Sequence, residues 1–107
     1  MKATNHVLDS DRIDRTYIDC PKRGGPLQKP DTIIIHYTGG VSARSATQWL
    51  CEGPVQASAH IVIDRQSGTI YQLVPFDTEA WHAGRSSYTF PDGTKRSGFN
   101  SCSIGIE

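Results

Sequence analysis

The sequence predicts a single small α/β domain, and three stretches carry that prediction. "DTIIIHYTGG" (31–40) sets three β-branched apolar residues in front of a glycine-containing break. Such residues lose rotamer freedom in a helix, so the run reads as a core strand of a sheet covered on both faces. "SARSATQWLCEG" (42–53) has a helical pattern, and "SAHIVIDRQSGTIYQLVPF" (58–76) has the pattern of a strand hairpin. The length, 107 residues with 36% apolar and 21% charged content, fits one soluble domain.

In chain order, residues 1–30 show no apolar periodicity and end in "CPKRGGPLQKP", whose glycines and prolines punctuate a loop. They are expected to form an arm that delivers the chain to the first core strand, with residues 31–107 forming the body. In the helix, Ser42 or Ser45 is the cap, Ala46, Trp49 and Leu50 share one face, and Gly53 with Pro54 ends it. "AHIVID" and "TIYQLV" are strand-like around a turn at "RQSG". Residues 77–100 read mostly as loop, with a short helical turn near Thr78–Trp81. "SCSIGIE" alternates as a strand that the chain end cuts off, so the C-terminal part of the sheet is expected to be missing.

Composition excludes several classes of function. Eleven basic residues balance eleven acidic ones, which gives no electrostatic basis for binding nucleic acid or an anionic membrane. No run of eighteen apolar residues occurs, so no transmembrane segment is expected. The opening "MKATNHVLDSDRIDR" lacks a hydrophobic stretch that could serve as a secretion signal, and a cytoplasmic setting is expected. Periplasmic or cell-wall action stays open. Cys20, Cys51 and Cys102 are odd in number and lack CxxC spacing, which favours reduced thiols over a disulfide framework.

The chemistry-bearing candidates are His36, His60 and His82, with Glu107, Asp64, Asp77, Glu79 and the thiols as supplements. His6 lies in the arm and is set aside. A catalytic zinc site needs about three protein ligands on rigid elements. Spacing alone does not select a set here, because no HExxH or HxH pair links the histidines. His36 closes a strand and opens a loop, a common place for catalytic and metal-binding groups.

Three ordered blocks, "IIIHYTGG", "SAHIVIDRQSGTIYQLVPFDTEAWHAGRSSY" and "FNSCSIGIE", resemble the zinc-dependent N-acetylmuramoyl-L-alanine amidases. That family includes anhydromuropeptide amidases, phage lysozyme-type amidases and peptidoglycan recognition proteins. The resemblance covers roughly residues 30–107, and "WHAG" followed by "SIGIE" is its most specific pair. It implies a mixed central β-sheet flanked by helices, a Zn2+ cofactor and a peptidoglycan or anhydro-muropeptide substrate. His36 matches the first zinc ligand. Glu107 matches the acidic residue that polarises the attacking water and shuttles its proton, and the remaining ligands are expected beyond residue 107.

On the same resemblance, His60 and His82 are not ligands. His82 with Trp81 is expected to line the substrate cleft, joined by Tyr37 and Arg85, and His60 to orient the sheet or a hydrogen bond behind the ligands. Tyr88 and Phe90 could stack on a sugar or simply pack their loop, and Lys95 could meet a stem-peptide carboxylate. The phage-type branch has a tyrosine where this sequence has Ala59, which puts more weight on Glu107 as the base. The implied reaction is hydrolysis of the amide between N-acetylmuramic acid and L-alanine. The alternatives are a metal-free peptidoglycan-binding module of the same fold and an inactive amidase fragment.

Overall fold

The computed structural model describes residues 1–27 and 29–107. Gln28, inside the loop expected before the first core strand, lies outside the described residues. In chain order the elements are β1 (Lys2–Thr4), β2 (Val7–Asp9), β3 (Ile13–Asp14), β4 (Arg23–Pro26), β5 (Thr32–Ile35), α1 (Ala43–Glu52), β6 (Ile61–Ile63), β7 (Ile70–Gln72), β8 (Thr78–Ala80), β9 (Ser87–Thr89), β10 (Lys95–Ser97) and β11 (Ser103–Ile106). One 3-10 turn, Phe99–Ser101, precedes β11.

The centre is a mixed five-stranded sheet in the order β3-β7-β6-β11-β5. Only β6 and β7 run antiparallel, as the hairpin pattern predicts; the other neighbours are parallel. Helix α1 packs on β6 and β7. Its cap is Ser42, whose hydroxyl accepts the Ser45 N–H at 3.1 Å, and Gly53 closes it. Thr47 and Cys51 turn into the core, where Cys20, Val62, Leu73, Val74 and Ala80 are also buried. Burial of each large aliphatic side chain there contributes about 1.5–3 kcal/mol. Ala46, Trp49 and Leu50 do share a face, and it lines an open cavity of about 710 Å3 together with Tyr37, Val41 and Glu107.

The isoleucine strand departs from expectation. It is an edge of the sheet, paired with β11 alone, and it is not covered on both faces: Ile33 is 65% and Ile35 71% exposed. Register places Ile104 and Ile106 of β11 beside them on that same face. The opposite face, with Thr32 and Ile34, meets Tyr88, Phe90 and Phe99 around a smaller cavity.

Residues 1–30 also differ from a structureless arm. β1 and β2 form a hairpin, β3 adds to the central sheet beside β7, and β4 pairs with β8. These strands are two to four residues long, too short to show a period, and buried polar side chains hold them. The fully buried Gln72 accepts the Leu8 N–H at 2.7 Å and donates to the carbonyls of His6 and Val74. Arg23 donates to the carbonyls of Ile18, Cys20 and Leu73. The partner strand β4 also explains why Thr78–Ala80 is a strand and not the helical turn expected there.

Within residues 77–100, expected to be mostly loop, β9 and β10 form a further hairpin. Its turn is closed by Asp92, which accepts from the N–H and hydroxyl of Thr94, and by Gly93 at φ +89°. Tyr88 and Phe90 pack edge to face at 5.0 Å with Arg96 over the Phe90 ring, so these rings pack their own hairpin. Cys20, Cys51 and Cys102 are free thiols in this structure. Among the described residues no helix is long and apolar enough to cross a membrane.

Candidate active site

The carboxyl ends of three parallel strands converge, a position where open α/β sheets commonly place function. His36 directly follows β5 and Glu107 directly follows β11. The backbone ladder continues through both: His36 N–H donates to the Ile106 carbonyl at 2.7 Å, and Glu107 N–H donates to the Ile61 carbonyl at 3.0 Å. The Glu107 carbonyl accepts the Ile63 N–H at 2.9 Å. Two chemistry-bearing side chains thus stand on rigid backbone, with His36 Nδ1 4.0 Å from Glu107 Oε1 and their side chains 27% and 15% exposed. Both line a groove of about 470 Å3 bounded by the 37–43 loop and by Ile63–Gln66.

His82 meets this pair from the other side. Its Nδ1 lies 3.3 Å from His36 Nε2, and its Nε2 lies 3.1 Å from the Ser103 hydroxyl, which donates to the Phe99 carbonyl. The backbone around it is pinned by Asn100, whose Oδ1 accepts the N–H groups of His82 (3.1 Å) and Ala83 (2.8 Å). The ring lies against β11 at Gly105, where an added Cβ would come within 3.0 Å of three ring atoms. Any side chain at 105 would displace the ring from His36.

His60 is fully buried and spends both ring nitrogens on structure. Nδ1 accepts the Gly105 N–H at 3.0 Å, and Nε2–H donates to the Thr78 carbonyl at 2.7 Å. No lone pair remains for a metal, and the ring ties β6 to β11 and to the start of β8. Burial lowers its pKa, against the opposing effect of the Thr78 bond. Burial, followed by the neighbouring His60 and His36, pushes His82 down to about 4.

Both shifts have the same consequence for stability. An unfolded imidazole takes up its proton near pH 6.5, whereas these two stay neutral to lower pH, so the unfolded chain binds protons first. Stability is therefore full above about pH 6.5 and falls as the pH drops toward 4. Urea unfolding at pH 7.5 and pH 5 should show a lower midpoint at pH 5; equal midpoints would refute the neutral assignment.

The remaining candidates surround these groups. Trp81 and His82 line a second cavity of about 400 Å3 with Gln56, Ala57, Gly84 and Asn100. Tyr37 is 90% exposed on the rim of the first groove. Arg85 is exposed, one residue past Gly84. Asp64 borders the first groove, its carboxylate taken up by the Gln66 and Ser67 N–H groups and the Ser67 hydroxyl. Asp77 lies near His6, away from the pair. Sequence reasoning passed over Ser103 and Asn100. The signal available for Ser103 is its place in S-x-G, where alternation aims Ser103 and Gly105 at one face, leaving room for a ring.

Among the described residues no three His, Cys, Asp or Glu side chains gather in a cluster that could hold a metal. His36 fits the requirement for one imidazole donor, held at a strand end with a second residue on its far nitrogen. Glu107 stands beside it as a carboxylate with an open groove in front.

A family profile for N-acetylmuramoyl-L-alanine amidase matches residues 26–107, which include every residue of this arrangement. The chain belongs to the N-acetylmuramoyl-L-alanine amidase family. It is 42% identical to the 1,6-anhydro-N-acetylmuramyl-L-alanine amidase AmpD of Citrobacter freundii over 94% of its own length and 58% of that protein. The AmpD of Salmonella typhimurium LT2 is 30% identical over the same shares. Among solved structures, a selenomethionine derivative of AmpD superposes with a TM-score of 0.67 at 27% identity, covering 99% of this chain and 64% of that one. A mutant endolysin from Bacillus subtilis gives 0.61 at 26% identity, covering 88% and 58%. The chain spans somewhat over half the length of the AmpD relatives it matches. Its mixed sheet and helix agree with the α/β amidase fold that the sequence predicts.

Proposed function

We propose that the natural protein hydrolyses the amide joining N-acetylmuramic acid to L-alanine in muropeptide fragments of peptidoglycan, using zinc. The observation that carries this reading is the His36–Glu107 pair, 4.0 Å apart at neighbouring parallel strand ends in a chain of the amidase family. Relatives named for the 1,6-anhydro-muramyl substrate favour soluble fragments over the polymer. A cytoplasmic setting accords with three free thiols.

Zinc, when bound, polarises a carbonyl and lowers the pKa of water from 15.7 to about 7. His36 would hold it through a ring nitrogen, one of the about three protein donors that a catalytic zinc site uses. Glu107 accepts the proton of the attacking water and returns it to the amine of L-alanine, which must leave protonated. Its place just past β11, with N–H and carbonyl both bonded to β6, holds the backbone that carries the carboxylate. Tyr37 lines the groove that holds His36 and Glu107, while Trp81 and His82 line the second cavity with Arg85 next to it, and these would receive sugar and stem peptide.

The test is incubation of the natural protein with a 1,6-anhydro-muramyl peptide and, separately, with intact peptidoglycan. Release of the L-alanine-headed peptide from the first substrate, stopped by a chelator and restored by zinc, is the expected result. Binding of muropeptide without release would identify a binding module and overturn the enzymatic reading.

A further inference from the structure

We propose that Ser103 and His82 act as positioning residues that hold His36 in one tautomer, with Nε2 protonated and Nδ1 bare toward Glu107. The Phe99 carbonyl can only accept, so the Ser103 hydroxyl that contacts it is a donor. The Ser103 oxygen is then left to accept, and the group it faces at 3.1 Å is His82 Nε2, which must carry a hydrogen. Among the described residues no carboxylate contacts the His82 ring, so nothing holds a second proton there. His82 Nδ1 is therefore an acceptor, and the group it faces at 3.3 Å, His36 Nε2, is the donor.

The chain of assignments ends at His36 Nδ1. Without a hydrogen, this nitrogen turns a lone pair toward Glu107, and the 4.0 Å separation is longer than a hydrogen bond between the two groups would be. Each link starts from an anchored group. Phe99 opens the 3-10 turn before β11, Ser103 is the first residue of β11 and is fully buried, and Asn100 pins the His82 backbone. A neutral imidazole that donates through one nitrogen and offers the other is the form that a metal requires. The value of this arrangement to catalysis rests on the amidase reading above; the tautomer itself does not.

The experiment is nitrogen-detected NMR of the imidazole side chains in the metal-free protein at pH 7.5. The expected spectrum shows His36 with Nε2 protonated and Nδ1 bare, and His82 with the same pattern. Ser103→Ala removes the acceptor that orders the chain and should populate the opposite tautomer of His36, with zinc affinity falling about 10–100-fold. His82→Phe keeps ring volume, removes the acceptor and should release the tautomer likewise. His36 protonated at Nδ1 in the wild-type protein overturns the inference without any variant, as does an unchanged tautomer in folded Ser103→Ala. Neither zinc nor substrate is present, so a protein that shows this tautomer yet hydrolyses nothing refutes the amidase reading alone. An active protein with the other tautomer refutes this inference alone.

Discussion

On the proposed reading, Glu107→Gln is expected to lower the rate of muramoyl-L-alanine hydrolysis by about 10²–10⁴-fold while zinc stays bound. The amide keeps the shape of the carboxylate and the backbone bonds of Glu107 to Ile61 and Ile63, so the groove and the strand end are preserved. What disappears is a group able to take a proton from water and give it to the departing amine. Ala59, where the resemblance to phage-type amidases implies a tyrosine in that branch, is a fully buried methyl with no proton to offer. Single-turnover rates with a 1,6-anhydro-muramyl peptide measure the chemical step; a rate within a few-fold of wild type would remove Glu107 from the role of base.

His60→Ala has the largest expected effect on stability, about 3–5 kcal/mol, a considerable part of the 5–15 kcal/mol that holds a typical domain together. The ring is fully buried, and its removal opens a cavity while leaving the Gly105 N–H and the Thr78 carbonyl without partners. The junction is thin: β6 and β11 share one register pair, Ile106 with Ile61, and the His60 ring extends it by taking the Gly105 N–H. Loss of the ring loosens the strand that ends in Glu107. His60→Asn, whose side-chain oxygen can replace Nδ1 as acceptor, should recover part of the loss. Guanidinium unfolding of the three proteins tests this, and a cost below about 1 kcal/mol for His60→Ala would contradict the structural role.

Much of the fold is legible in the sequence where local rules act alone. Ser42 and Gly53 bound α1, the "RQSG" turn joins β6 to β7, and "SCSIGIE" forms β11. What escapes is long-range. Gln72 reaches His6 and Leu8 across 66 and 64 residues, Arg23 of β4 reaches the Leu73 carbonyl across 50, and no local pattern announces such partners. The exposure of Ile33 and Ile35 is equally invisible, because a β-branched run reads alike whether or not anything covers it. At the candidate site, strand-end logic singles out His36, whereas a count of histidines would recruit His60, a ring with no free nitrogen. Ser103 stays hidden because a serine in an alternating strand gives no sign that its oxygen faces a histidine 21 residues earlier.

If His36 holds the metal and Glu107 moves the proton, zinc content and hydrolysis rate measured side by side on the natural protein, His36→Ala and Glu107→Gln separate the two roles. The expected result is one zinc per chain in the wild type, loss of zinc and rate together in His36→Ala, and loss of rate alone in Glu107→Gln. Zinc retained by His36→Ala, or full hydrolysis by Glu107→Gln, would contradict these roles.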